Sequence, residues 1–111
     1  MFIHFDTYHM NIEEHGYSEP IKQSGKLLGY VHMSESDRGI PGKGNVNWDD
    51  IFAGLKAINF TGPLVLEAFA AINPDLTAAT CLWRPGSYTG LDLATQGLSL
   101  LHQKSEAVGL A

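Results

Sequence analysis

Phe2-Ile3-His4-Phe5-Asp6 opens the chain as a short apolar run that ends on a carboxylate, and Leu28-Gly29-Tyr30-Val31-His32 and Leu64-Val65-Leu66-Glu67 repeat the plan. Each run is short, apolar and strand-like, and each ends on a residue able to carry a proton or hold a metal ion. Alternate residues of a strand share a face, so His4 and Asp6 point one way and Ile3 and Phe5 the other. The same count groups Leu28, Tyr30 and His32, and Val65 with Glu67. The terminal residues lie 26 apart (32 minus 6) and 35 apart (67 minus 32). Those spacings suit two successive strand-loop-helix units of roughly 30 residues or more. The repetition predicts an α/β chain with a parallel sheet, and it aligns Asp6, His32 and Glu67 along one edge, where such proteins build their sites. Two carboxylates and an imidazole make up most of a metal site.

Helix signals fill the intervals. Ser18 is a candidate cap for a short helix with Pro20 in its first turn and Gly25 at its end. Asn47 can cap a helix in which Trp48, Ile51, Phe52, Leu55 and Ile58 fall at helical spacing, with Asp49 and Asp50 near its positive end. Thr61-Gly62-Pro63 turns the chain into the third strand. Asn73-Pro74-Asp75 reads as the start of a helix through Ala79 and Leu82, ended by Trp83-Arg84-Pro85-Gly86. Thr89 and Asp92 form a capping box before Leu93, Ala94, Gly97, Leu98, Leu100 and Leu101, a mostly apolar face, and the tail beyond Ser105 is expected to fray.

At 111 residues, 44% hydrophobic and 17% charged, the chain is expected to form one soluble globular unit spanning 1–111. A formal charge of −5 with scattered lysines and arginines argues against a nucleic-acid partner. No apolar stretch approaches the roughly 20 residues that cross a bilayer, and no signal-peptide pattern precedes Asp6, so a cytoplasmic location is the default expectation. Cys81 is the single cysteine; an intrachain disulfide is excluded, and helical packing beside Ala78, Ala79 and Leu82 is expected for it. Three units cannot close a barrel of eight, and an open three-stranded sheet would leave two edges and one apolar face uncovered. The expectation is therefore that the chain associates with copies of itself, as a homo-oligomer, or that it is the C-terminal piece of a longer enzyme. The strand residues directly after Met1 favour the second.

Three stretches carry a resemblance: 6–14 (Asp-Thr-Tyr-His-Met-Asn-Ile-Glu-Glu), 32–44 (His-Met-Ser-Glu-Ser-Asp-Arg-Gly-Ile-Pro-Gly-Lys-Gly) and 65–69 (Val-Leu-Glu-Ala-Phe). Together with Leu82-Trp83-Arg84-Pro85 and the final helix, they resemble the ketose 3-epimerase family of D-tagatose and D-psicose epimerases. The resemblance covers nearly the whole chain but only the last three of the family's eight β/α units. It implies a partial TIM barrel of the xylose-isomerase-like type and inversion of C3 of a ketose sugar with a divalent metal. Position by position it implies Asp6, His32 and Glu67 as three of four metal ligands, and His9 and Arg38 as substrate-binding residues. Glu67 would also be one of two glutamates that exchange the proton. This donor set suits a borderline-to-hard divalent ion such as Mn²⁺, Co²⁺ or Mg²⁺, and the resemblance implies Mn²⁺ first. In such chemistry a carboxylate removes the C3 proton on one face, and a second returns one to the other face of a cis-enediolate. The family's second such glutamate, also its fourth ligand, stands on a strand with no counterpart here. Glu13, Glu14 and Glu35 lie in loops nearby, and an isolated monomer is expected to hold metal weakly and to turn over poorly.

Other residues take plainer readings. His4 faces the interior without matching a family ligand and reads as structural; His15 and His102 read as surface residues. Gly42-Lys43-Gly44 lacks the Walker spacing of a phosphate cradle. Trp83 and Arg84 suit packing at the barrel rim, and Phe69 suits the wall of a sugar pocket. Two further functions stay open, a non-catalytic remnant acting in oligomeric assembly and a zinc-dependent DNA-repair nuclease of the same superfamily, the latter disfavoured by the acidic charge. Epimerisation and aldose-ketose isomerisation are not separated by these residues.

Overall fold

A computed structural model describes residues 1–70, 74–82 and 88–110. Among these, strands β1 (Ile3–Asp6), β2 (Leu28–Met33) and β3 (Leu64–Leu66) form one parallel sheet in the order β1-β2-β3. The register pairs His4 with Tyr30 and Asp6 with His32, then His32 with Val65. The Glu67 N–H donates to the Met33 carbonyl at 3.1 Å, adding a rung just past β3. The three terminal residues foreseen at one sheet edge are thus neighbours across it.

One face assignment differs. Ile3 pairs with Leu28 and His4 with Tyr30, an irregularity that skips Gly29. Leu28 accordingly lies in the core with Val31 and Met33 instead of sharing the face of Tyr30 and His32. A register step of one residue exchanges the faces of a strand.

Helix α1 (Thr7–Glu13) follows β1 without a spacer, α2 (Ser18–Ser24) leads through a single 3₁₀ turn into β2, and α3 (Trp48–Ala57) precedes β3. Further on come α4 (Pro74–Ala79) and α5 (Gly90–Val108). The core lies on one face of the sheet. Ile21, Ile51, Phe52, Leu55, Val31 and Met33 are its fully buried members, with Ile3, Phe5, Leu64 and Leu66 packed against them. Burying each large side chain contributes about 1.5–3 kcal/mol. Asn47 caps α3 as expected, its side chain accepting from the Asp50 N–H at 3.1 Å, and Trp48, Ile51, Phe52 and Leu55 are buried.

Ser18 does not cap α2. The cap comes from α3, where Asp50 Oδ2 accepts the N–H groups of Tyr17 (2.9 Å) and Ser18 (3.1 Å). The Tyr17 N–H foremost, aided by Ser18 and opposed by partial burial, holds the Asp50 carboxyl below its usual value. Asp50→Ala is expected to cost about 1 kcal/mol and to lower the melting temperature by several degrees. A carboxyl with a depressed folded-state pKa contributes fully above its unfolded value of about 4 and loses that contribution as pH falls through the lower folded value. Thermal melts of parent and variant should therefore converge in acid and separate at neutral pH.

The chain end also departs from expectation. Beyond Ser105 helix α5 continues to Val108 and is closed by Gly109 in the left-handed region, with Leu110 N–H on the Ser105 carbonyl at 2.9 Å. Val108 and Leu110 pack on the core, so the tail is held. The foreseen Thr89–Asp92 capping box is present. On α5 the buried residues are Leu93, Gly97 and Leu101, while Ala94 and Leu98 are exposed. A Cβ on Gly97 would sit 2.8 Å from Leu66 Cδ2, so glycine lets α5 close on β3. Helix α4 ends at Ala79, and Cys81 follows it, exposed and at φ +56°, instead of packing on the helix. The expected elements at Asn73 and at Trp83-Arg84-Pro85-Gly86 lie outside the described residues.

The second sheet face is open and is not apolar. It carries His4, Asp6, Tyr30, His32 and Glu67, with Val65 as its one aliphatic strand residue. His4, expected to face the interior, is exposed on this face and stacks edge-on against Tyr30 (4.8 Å) and His32 (4.4 Å).

Candidate active site

Asp6 serves two elements at once. Its Oδ1 accepts the Tyr8 N–H at 2.9 Å and caps α1, while Oδ2 lies 3.7 Å from His32 Nδ1. Glu67 Oε2 lies 3.3 Å from the same ring nitrogen. Ligand atoms of Asp6, His32 and Glu67 all fall within 4.8 Å of one another, which brings the three expected ligands together.

Arg38 completes the cluster. The side chain is only 8% exposed, and its Nη1 donates to Glu67 Oε2 (2.9 Å), Asp6 Oδ2 (3.3 Å) and Ser34 Oγ (2.9 Å). Its guanidinium lies 3.7 Å above the Tyr8 ring and 5.4 Å from that of Phe69, a cation–π arrangement. Nη2 is 3.4 Å from His9 Nε2, and His9 itself is exposed toward solvent. Phe69, expected as a pocket wall, flanks Arg38, and its N–H donates to the Arg38 carbonyl at 2.8 Å. Burial pushes the Asp6 carboxyl up, but the adjoining Glu67 carboxyl, the Arg38 charge and the Tyr8 N–H outweigh it and hold Asp6 below its usual value. Two carboxylate oxygens and one imidazole nitrogen at 3.3 and 3.7 Å are a donor set that one first-row divalent ion accepts. The residues fit such an ion.

Tyr8, Ser34 and Thr7 had no signal in the sequence. Thr7 is fully buried; its Oγ1 donates to the Ser34 carbonyl (2.6 Å) and accepts the Ser34 N–H (2.8 Å), tying the end of β1 to the end of β2. Thr7→Val deletes both bonds at a buried position and is expected to cost about 1–3 kcal/mol. Thr7→Ser keeps the hydroxyl and should cost less. Urea unfolding of the two variants checks the difference, and an equal loss in both would mean that the hydroxyl's two bonds do not set the cost.

Glu35 is not a spare ligand. It is fully buried, and its carboxylate accepts from Ser36 N (2.8 Å), Gly42 N (2.9 Å), Val46 N (2.9 Å) and Trp48 Nε1 (2.8 Å). A Cβ on Gly44 would meet Glu35 Oε1 at 2.5 Å. The glycine-rich loop is thus a cradle for the chain's own carboxylate instead of for phosphate. Glu13 and Glu14 are exposed at the end of α1 and do not join the ligand cluster.

Residues 1–85 match the family of xylose isomerase-like TIM barrels. The chain belongs to that family. It is 43% identical over 105 residues to the L-ribulose 3-epimerase of Methylomonas sp. (strain DH-1), covering 93% of this chain and 37% of the relative. It is 45% identical over 84 residues to the ketose 3-epimerase of Arthrobacter globiformis, covering 74% of this chain and 29% of that enzyme. The crystal structure of the Methylomonas sp. D-allulose 3-epimerase in complex with D-allulose superposes with a TM-score of 0.84, at 43% identity, over 93% of this chain and 36% of that one. The chain therefore spans only about a third of the length of these relatives, about three of a barrel's eight β/α units. Among the described residues no helix is long and apolar enough to cross a membrane.

Proposed function

We propose that this chain carries one side of the active site of a divalent-metal-dependent ketose 3-epimerase. The observation that supports this most directly is the convergence of Asp6, His32, Glu67 and Arg38 on one end of the open sheet face. Asp6, His32 and Glu67 would hold the metal, Mn²⁺ first and Co²⁺ or Mg²⁺ next. When bound, such an ion polarises a carbonyl and acidifies the neighbouring C–H. Glu67 takes or returns the C3 proton at its carboxylate, and Arg38 and His9 hold the sugar oxygens near the reacting carbon. Tyr8 and Phe69 keep the guanidinium flat and partly shielded from water, which strengthens its hydrogen bonds.

Inversion needs a second acid/base on the opposite face of the sugar, and none of the described residues stands there. The proposal therefore includes a second source for that carboxylate, either another copy of the chain or a segment carrying the preceding strands, seated on the open face. A cytoplasmic setting belongs to the same reading; the single cysteine, Cys81, is free and suits a reducing compartment. The decisive experiment incubates the purified chain with D-fructose or D-tagatose and Mn²⁺ and separates the sugars by chromatography. Conversion that needs metal and rises more than linearly with chain concentration is expected. No conversion at saturating Mn²⁺ and high concentration would leave the second reading, a non-catalytic element of an assembly.

A further inference from the structure

The loop between β2 and α3 delivers Arg38 to the ligand cluster in a backbone conformation, φ +62°, that residues other than glycine rarely adopt. Such a conformation persists only where the surroundings over-determine it. Here the Arg38 N–H donates to the Glu35 carbonyl (3.0 Å), and Asp37 Oδ1 accepts the Gly39 N–H (2.9 Å). The Phe69 N–H on the Arg38 carbonyl (2.8 Å) and the Asn45 N–H on Ser36 Oγ (2.9 Å) add to these at the loop's surface. The Glu35 carboxylate supplies the buried anchor. One oxygen binds the N–H groups of Ser36 and Val46, and the other binds those of Gly42 and the Trp48 indole, so a single buried anion joins both limbs and the first residue of α3.

We propose that Glu35 is a positioning residue for Arg38, holding the loop so that the guanidinium meets Asp6, Glu67 and the sugar oxygens at once. What Arg38 is positioned toward rests on the epimerase reading; the placement itself does not. Glu35 touches none of the three ligands and acts only through the loop. Substitution of the carboxylate should free Arg38 while leaving the helical core folded, because Ile51, Phe52 and Leu55 lie deeper along α3.

The test uses phenylglyoxal, which modifies accessible guanidinium groups, on the parent chain and on Glu35→Gln and Trp48→Phe variants. Arg38 modification is followed by peptide mass mapping with Arg84 as the in-chain reference. Glu35→Gln is expected to speed Arg38 modification about tenfold relative to Arg84, as local opening of the loop requires. Trp48→Phe removes one of the donors and should act in the same direction, less strongly. Far-UV circular dichroism and amide exchange in α3 establish that the variants are folded. Should Glu35→Gln fail to fold, Trp48→Phe decides by the same criterion. An Arg38 rate unchanged in a folded variant overturns the proposal. A second arm measures Mn²⁺ affinity by electron paramagnetic resonance. A change caused by Glu35→Gln should vanish in an Arg38→Ala background, whereas its persistence there would show that Glu35 acts by another route. Failure of the parent to bind Mn²⁺ would overturn the metal-dependent reading and leave the modification rates to judge Glu35.

Discussion

Glu67→Gln is expected to abolish epimerisation, with a rate loss of about a thousandfold, the middle to upper part of the range for a positioned acid/base. The amide neither takes nor returns a proton, yet it preserves the size of the side chain and the backbone bond from Glu67 N–H to Met33. The same substitution removes one of the two anionic ligands. Mn²⁺ affinity should fall by at least about tenfold, an effect that even outer-shell partners of a metal commonly have. Arg38 Nη1 would keep Asp6 Oδ2 and Ser34 Oγ as acceptors, so little stability should be lost. The check pairs sugar chromatography with Mn²⁺ titration and a thermal melt. Retained conversion would exclude Glu67 as the proton carrier, and lost conversion at unchanged Mn²⁺ affinity would exclude it as a ligand.

Much of this site was legible because its determinants are local. Alternation within three runs and the residue closing each run were enough to align Asp6, His32 and Glu67, and Asn47 and Thr89 announced their helices through capping chemistry with near neighbours. What escaped reading depends on contacts between segments distant in sequence. Helix α1 was missed because Asp6 ends a strand and caps a helix in the same position, leaving no spacer to mark the change. Leu28 was assigned to the wrong face because the skipped residue at Gly29 follows from how β1 and β2 pair. The α2 cap comes from Asp50, about 30 residues downstream, and the partners of Glu35 at 42, 46 and 48 come together only when the loop closes. The open face was expected to be apolar by analogy with any uncovered sheet. Its polar composition instead follows from the fact that this face carries the site.

Phe52→Ala should give the largest loss of stability. Phe52 is 1% exposed and is the largest fully buried side chain among the described residues, and truncating a buried phenylalanine costs about 3–5 kcal/mol. The core has one layer of helices over one face of a three-stranded sheet, while the other face contributes nothing to it. A domain of this size has only about 5–15 kcal/mol in total, so the variant should be partly unfolded at moderate temperature. Phe52 stands on the helix-covered face and the ligand cluster on the open one, so the variant should keep an intact metal site whenever it is folded. A ligand that binds only the folded state stabilises it by about 2.7 kcal/mol at a hundredfold excess over its dissociation constant. Saturating Mn²⁺ is therefore expected to restore much of the melting transition of Phe52→Ala. It should restore clearly less in an Asp6→Asn, Phe52→Ala double variant, where the cluster has lost an anionic ligand. Thermal melts with and without Mn²⁺ decide this. Equal rescue of both variants would mean that the metal acts elsewhere on the chain, and a melting temperature of Phe52→Ala within a degree or two of the parent would mean that α3 is not what holds the sheet together.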